Sequence, residues 1–153
     1  MIYSNKKLII ALGALLIIGK IYLMRNEIDL LARTIWAEAR SEGERGMQAV
    51  ANVIKNRADK GGYFGRSIVD VATKDFQFSA WNIGDPNRSK LLAVTDENPE
   101  FRKALDIAKG VLKGTLSDIT EGADHYHTYN INPSWAASLT KIKQIGDHIF
   151  YRS

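Results

Sequence analysis

The chain contains no cysteine. A disulfide framework, a thiol nucleophile and any cysteine-ligated zinc site are therefore excluded, and folding does not depend on the redox compartment. There is no internal repeat and no low-complexity segment, so neither a solenoid nor a linker-rich architecture fits. Residues 1–26 contain no acid, only Lys6, Lys7, Lys20 and Arg25. The whole chain holds 21 basic and 17 acidic residues, a formal charge of +4. With those four bases set aside, bases and acids balance over residues 27–153. The basic character thus belongs to the N-terminal segment, and it gives no support to a nucleic-acid partner.

What is present divides in two. Leu8 to Met24 (LIIALGALLIIGKIYLM) is apolar except for Lys20. As a helix it spans about 25 Å, a little less than a hydrocarbon core, which makes a marginal membrane span. Lys20 lies near enough to one end to snorkel to the interface. No small-x-small cleavage site stands between Lys20 and Asn26, so a signal anchor is favoured over a cleaved signal peptide. The short tail with Lys6 and Lys7 stays inside and the rest lies outside. The expected organisation is a signal-anchor helix over residues 1–26 and one domain over 27–153. A domain of about 125 residues buries an adequate core unaided.

Leu30 to Arg57 (LLARTIWAEARSEGERGMQAVANVIKNR) organises that domain as two helices joined by an acidic turn. Ile28, Leu31, Ile35 and Ala39 recur at spacings of three and four, the signature of an amphipathic helix. Glu38 falls seven residues after Leu31, about 20° away around the helix, and so points toward the buried side. Desolvation disfavours an ionised carboxyl there and fits it to donate a proton. An ion pair with Arg40 or Arg45 is the alternative for the same residue. Glu42 lies one turn further on the same face, and Gly43 suits a helix end. Met47, Val50, Ala51, Ile54 and Ala58 mark the second helix. Ser67 reads as the N-cap of a short helix, and Asn98-Pro99 as the start of another that Gly114 ends.

Two further stretches carry candidate binding groups. In the loop Asp75–Asn82, Phe78 and Trp81 stand among Gln77, Ser79 and Asn82, a ring platform among polar groups that suits a carbohydrate; a plug for the core is the alternative. His125, Tyr126, His127, Thr128 and Tyr129 alternate like a strand, with His125 and His127 on one face. Lys141–Arg152 is extended and broken at Gly146, with His148 and Phe150 on one face, and Pro133–Ala137 suggests a helical turn at Trp135. Two histidines at i, i+2 with His148 or a carboxylate as a third ligand are one route to zinc. No HExxH spacing accompanies them, and histidines bonded to sugar hydroxyls or to one another fit equally.

WAEAR-SEGERGMQAVANVIKNR, QFSAW, HYHTYNINPSWA and IGDHIFYR, in that order, resemble the SleB/CwlJ-type cell-wall hydrolases from about Leu30 to Arg152. The resemblance implies an α+β, mainly helical, lysozyme-like domain with a small antiparallel β element, here preceded by one N-terminal membrane helix. It also implies cleavage of the peptidoglycan glycan strand with the EAR glutamate, Glu38, as general acid/base. Glu42, Gln77, Phe78, Ser79, Trp81, His125, Tyr126, His127, Trp135 and His148 are the candidate substrate-contacting residues, with no metal and no cofactor. The wall-binding repeat domain of the spore enzymes is absent from this chain. The anchor instead resembles that of phage endolysins with a signal-anchor-release helix, exported tethered to the inner membrane and then released outward.

A second catalytic carboxylate is not evident. Glu42 or Glu44 are candidates, and the phage-lysozyme spacing fails because position 47 is Met. A lone-glutamate lytic transglycosylase is therefore attractive, and a muramidase-type hydrolysis stays open beside it. The expected partners are peptidoglycan, the membrane through residues 8–24 and the export machinery, with the chain a monomer. Two other classes remain open: a zinc-dependent N-acetylmuramoyl-L-alanine amidase using His125, His127, His148 or Glu38, and a non-catalytic tethered wall-binding module.

Overall fold

The computed structural model describes the backbone of residues 2–75 and 77–153, and their side chains except those of residues 2–14, 20 and 21. Its first element, α1, is one uninterrupted helix, Ile2–Ala39. It runs across the expected boundary between residues 26 and 27, since no glycine or proline lies between Lys20 and Ala39 to end a helix. What changes along α1 is burial. Leu15, Leu16, Ile17, Ile18, Tyr22 and Leu23 are exposed, whereas Leu31, Ala32, Ile35 and Ala39 are fully buried. Among the described residues no helix is long and apolar enough to cross a membrane. The expected span over Leu8–Met24 falls largely on side chains outside the described residues.

Helix α1 ends in a 3-10 turn, Arg40–Glu42, and Gly43 at φ 69° lets the chain reverse into α2, Gly43–Lys60. Both helices were legible from their apolar spacing: Met47, Val50, Ala51 and Ile54 are fully buried against α1. Two short helices follow, α3 (Ile68–Thr73) and α4 (Arg88–Ala93). The Ser67 hydroxyl caps α3 by accepting the Asp70 N–H at 3.0 Å. Helix α5, Pro99–Lys113, starts as expected with the Asn98 side chain accepting the Phe101 N–H at 3.0 Å, and stops at left-handed Gly114. It packs along α1, with Phe101 edge-on to Trp36 at 6.4 Å. Each large apolar side chain buried in this three-helix core contributes about 1.5–3 kcal/mol.

The second face of α2, through Ala49 and Val53, packs on a three-stranded antiparallel sheet. Its strands are β1 (His125–Thr128), β2 (Thr140–Ile145) and β3 (His148–Arg152), with β3 in the centre. The register places His125 opposite Tyr151 and Thr128 opposite His148. His125, His127 and Tyr151 therefore share one face, while Tyr126, His148 and Phe150 share the other. The expected mainly helical α+β domain is thus present.

Glu42 fastens the β2–β3 hairpin to the α1–α2 turn. Its Oε2 accepts the Asp147 N–H at 2.8 Å. Gly146, at φ 56°, comes so close that a Cβ there would collide with the Glu42 carboxylate. Gly146→Ala is accordingly expected to lower stability by about 1–3 kcal/mol, from strain at a positive φ plus that collision. Thermal melts of the two proteins check this; equal melting temperatures contradict it.

Candidate active site

Glu38 occupies the last turn of α1, beside fully buried Ile35 and Ala39. Its carboxyl is half-buried, and the Tyr126 hydroxyl from β1 donates to Oε2 at 3.4 Å. Burial pushes the Glu38 pKa above the usual carboxylate range, helped by the negative charge of Asp85, while the Tyr126 bond pulls it back in part. The net displacement is upward, which favours the protonated acid. Burial and the adjacent Glu38 also push the Tyr126 phenol well above its ordinary value, so it stays a neutral donor. The carboxyl points inward, as the spacing of α1 predicts, and neither Arg40 nor Arg45 pairs with it among the described residues.

Tyr126 also lines an open cleft of about 350 Å³ with Arg57, Tyr63, Phe64, Gln77, His125 and Trp135. A second depression is lined by Thr73, Asp75, Trp81, Asn82 and Ile83. Trp81 stands over α1 one turn before Glu38, its indole N–H donating to Thr34 Oγ1 at 2.9 Å. Glu38 thus touches the wall of one hollow through Tyr126 and lies one helical turn from the wall of the other.

The candidate contacts separate by burial. Gln77, Tyr126, His125 and Trp135 face the first cleft, Trp81 faces the second, and Ser79 is exposed beside it. Phe78, at 1% exposure, is a core residue with no ring face open to a ligand in this structure, which matches the plug alternative for that loop. His127 is buried too, with Nε2 bonded to the Tyr151 hydroxyl at 3.0 Å and Nδ1 to the Thr128 carbonyl at 2.8 Å. His148 is buried on the opposite face of the sheet, edge-on to Tyr126 at 5.0 Å. Burial lowers its pKa, opposed by the charges of Glu42 and Asp147. Glu42 is corrected from substrate contact to hairpin fastener, since its carboxylate is already engaged by Asp147. His148 lies across the sheet from His125 and His127, the ring of His127 is committed on both sides, and among the described residues no three histidines or carboxylates come together as metal ligands.

Several cleft residues escaped the sequence reading. Arg57, nearly buried, donates through Nε to the Asp124 carbonyl at 2.7 Å and through Nη1 to Gln77 Oε1 at 3.1 Å. Its guanidinium lies 5.3 Å from the Phe64 ring centre and 5.6 Å from that of Phe78. Burial lowers its pKa from the usual arginine value. Asp124 is buried, accepting from Lys60 Nζ at 2.7 Å and Ser153 Oγ at 2.8 Å, and pairs through Oδ1 with His125 Nδ1 at 2.7 Å. Against the upward push of burial, these bonds hold its pKa down at about 2. Such a depressed carboxylate contributes stability that is complete above its unfolded value, about 4, and is lost as pH falls through the folded one. Asp124→Asn should therefore melt lower at neutral pH, and its melting temperature should change less than that of wild type between about pH 4 and pH 2. Parallel pH dependences of the two melting temperatures would contradict this.

The family model for cell wall hydrolases matches residues 41–151, beginning just after Glu38. The chain is 32% identical over 126 residues to the spore cortex-lytic enzyme of Halalkalibacterium halodurans, covering 82% of this chain and 34% of that protein. It is likewise 32% identical over 130 residues to the spore cortex-lytic enzyme of Bacillus subtilis, covering 82% and 37%. The chain thus spans about a third of the length of the curated relatives it matches. Among solved structures, the catalytic domain of the Bacillus cereus SleB protein superimposes with a TM-score of 0.63 at 27% identity, over 84% of this chain and 91% of that one. The catalytic domain of the germination-specific lytic transglycosylase SleB from Bacillus anthracis gives 0.63 at 26% identity, over 83% and 94%.

Proposed function

The chain belongs to the cell wall hydrolase family, and from that premise we propose that it cleaves the glycan strands of peptidoglycan with Glu38 as the acid. The observation that carries the proposal is a protonatable, half-buried carboxyl that accepts from the hydroxyl of a neutral tyrosine, and that tyrosine itself lines a cleft walled by aromatic and polar groups. Its raised pKa supplies a proton to the glycosidic oxygen, and departure of the leaving sugar leaves positive charge at the anomeric carbon. Glu38, now a carboxylate, takes the proton of the muramyl 6-hydroxyl as that oxygen attacks the anomeric carbon. The product is a 1,6-anhydro end, and no water is consumed. The naming of one solved relative as a lytic transglycosylase supports this course over hydrolysis.

Hydrolysis is the second reading, and one observation favours it: Asp85 lies close enough for its charge to raise the Glu38 pKa. Asp85 is half-buried, with Oδ1 accepting the Asn87 N–H at 2.8 Å. It replaces Glu42 and Glu44 as the candidate second carboxylate of a two-acid mechanism.

In the same proposal the N-terminal part of α1 is a signal anchor through residues 8–24, which the export machinery inserts in the inner membrane with the domain outside. The exposed run Leu15–Ile18 with Tyr22 and Leu23 supports it, because those side chains have no protein surface to cover them. The marginal span fits a phage endolysin that is exported tethered and then released to lyse its host.

The test is clearance of a suspension of purified peptidoglycan by the full chain, with and without EDTA. Equal clearance in both supports a metal-independent glycan cleaver. Loss of clearance with the chelator moves the assignment to the zinc amidase, and no clearance in either leaves a binding module.

A further inference from the structure

The mechanism above makes no use of the group formed by Asp124, His125 and Arg57 on the cleft wall. Asp124 ties the other two together: its carbonyl accepts from Arg57 Nε at 2.7 Å and its carboxylate takes His125 Nδ1 at 2.7 Å. The carboxylate is itself fixed by Lys60 and Ser153, the latter also through its N–H at 3.0 Å. With Nδ1–H donated to the Asp124 carboxylate, the neutral form of His125 carries its acceptor lone pair at Nε2. Among the described residues Nε2 has no hydrogen-bond partner, and the ring edge is left to the cleft. Arg57 has two of its nitrogens occupied by neutral acceptors, and no carboxylate pairs with it among the described residues. A donor therefore stands near an acceptor of fixed tautomer. Around them, Trp135 and Phe64 pack on the His125 ring at 5.2 and 5.6 Å and offer apolar walls.

An acceptor, a donor and an apolar wall are the three complements of a secondary amide with a methyl group: N–H, C=O and CH₃. A sugar hydroxyl needs no apolar wall. A carboxylate would be drawn to Arg57 but opposed by the Nε2 lone pair and by Asp124 behind it. Resting on the glycan reading, we propose that His125 and Arg57, both positioned by Asp124, form a subsite for the 2-acetamido group of the bound sugar. In it Nε2 accepts the amide N–H and Arg57 donates to the amide carbonyl. Removing the acetyl group deletes two of the three contacts and sets an amine against Arg57.

The experiment compares kcat/KM of the full chain on purified peptidoglycan and on the same material after enzymatic N-deacetylation. Wild type should prefer the acetylated substrate by about tenfold or more, since a site built for a polar group rejects the analogue that lacks it. Arg57→Met removes the donor to the amide carbonyl and should bring that ratio down toward one, and Arg57→Lys restores a donor and should recover part of the preference. His125→Phe removes an acceptor that both substrates use, and should lower kcat/KM on both. A wild-type ratio near one overturns the subsite, and so does a ratio that Arg57→Met leaves unchanged. If Arg57→Met fails to fold, the wild-type ratio and the Lys variant still decide. Failure of wild type on both substrates is a different result: it removes the glycan reading and the subsite with it.

Discussion

Replacing Glu38 with glutamine is expected to lower turnover on peptidoglycan by about 10²–10⁴-fold, the usual loss when one general acid/base is removed. The amide keeps the shape of the carboxyl and can still accept from the Tyr126 hydroxyl, which donates to Glu38 at 3.4 Å. The effect on stability should have the opposite sign. Burial raises the pKa of Glu38 in the fold, so ionisation above its unfolded value costs the folded state, and glutamine removes that cost. At neutral pH the variant should therefore melt at the wild-type temperature or slightly above it, while its activity is gone. A variant that keeps more than about a tenth of wild-type turnover refutes the role assigned to Glu38, since that loss is smaller than general acid catalysis contributes.

The second large effect concerns the tether. Leu8 to Met24 has seventeen positions where about twenty span a bilayer comfortably, and Lys20 interrupts it. A charge near the middle of a span costs about 2.5–3.5 kcal/mol on insertion scales, and less toward an end. Inserted as proposed, such a helix would be held weakly and should leave the membrane when the potential collapses. Wild type is expected to move from the membrane pellet to the soluble fraction after a proton uncoupler. Lys20→Leu should stay in the pellet both before and after. Wild type that remains wholly in the pellet would falsify release, and the segment would be a fixed anchor. Because α1 runs unbroken from Ile2 to Ala39, the tethered form carries Glu38 about 21 Å along the helix axis from Met24, at about 1.5 Å per residue. Release would free the acid from that fixed height.

What was legible in the sequence was local. The apolar spacing of α2, the Ser67 and Asn98 caps and the stop at Gly114 are each fixed by neighbours within a turn or two, and each stands as read. Glu38 was legible for the same reason, since seven residues from Leu31 fixes its direction on α1. The rest of the site depends on what lies across the fold. Phe78 and Trp81 look alike in the loop, but Phe78 is swallowed by the core while Trp81 is caught by Thr34. The alternation of β1 correctly puts His125 and His127 on one face, yet only the packing of Trp135 and Tyr151 decides which of them meets the cleft. His148 falls on the far face because of a strand register with no local signature. The charge of Asp85 bears on Glu38 from a loop whose path nothing in its own sequence announces.

The central claim is that Glu38 breaks a glycosidic bond and completes the reaction with the sugar's own hydroxyl. Mass spectrometry of the muropeptides released from purified peptidoglycan by the full chain tests it most directly. The account predicts soluble fragments ending in 1,6-anhydro-muramyl residues, with stem peptides still attached to the sugar. Reducing muramyl ends would contradict the lone-glutamate course and move Asp85 into the reaction as its second carboxylate. Free stem peptides on uncut glycan would contradict glycan cleavage altogether.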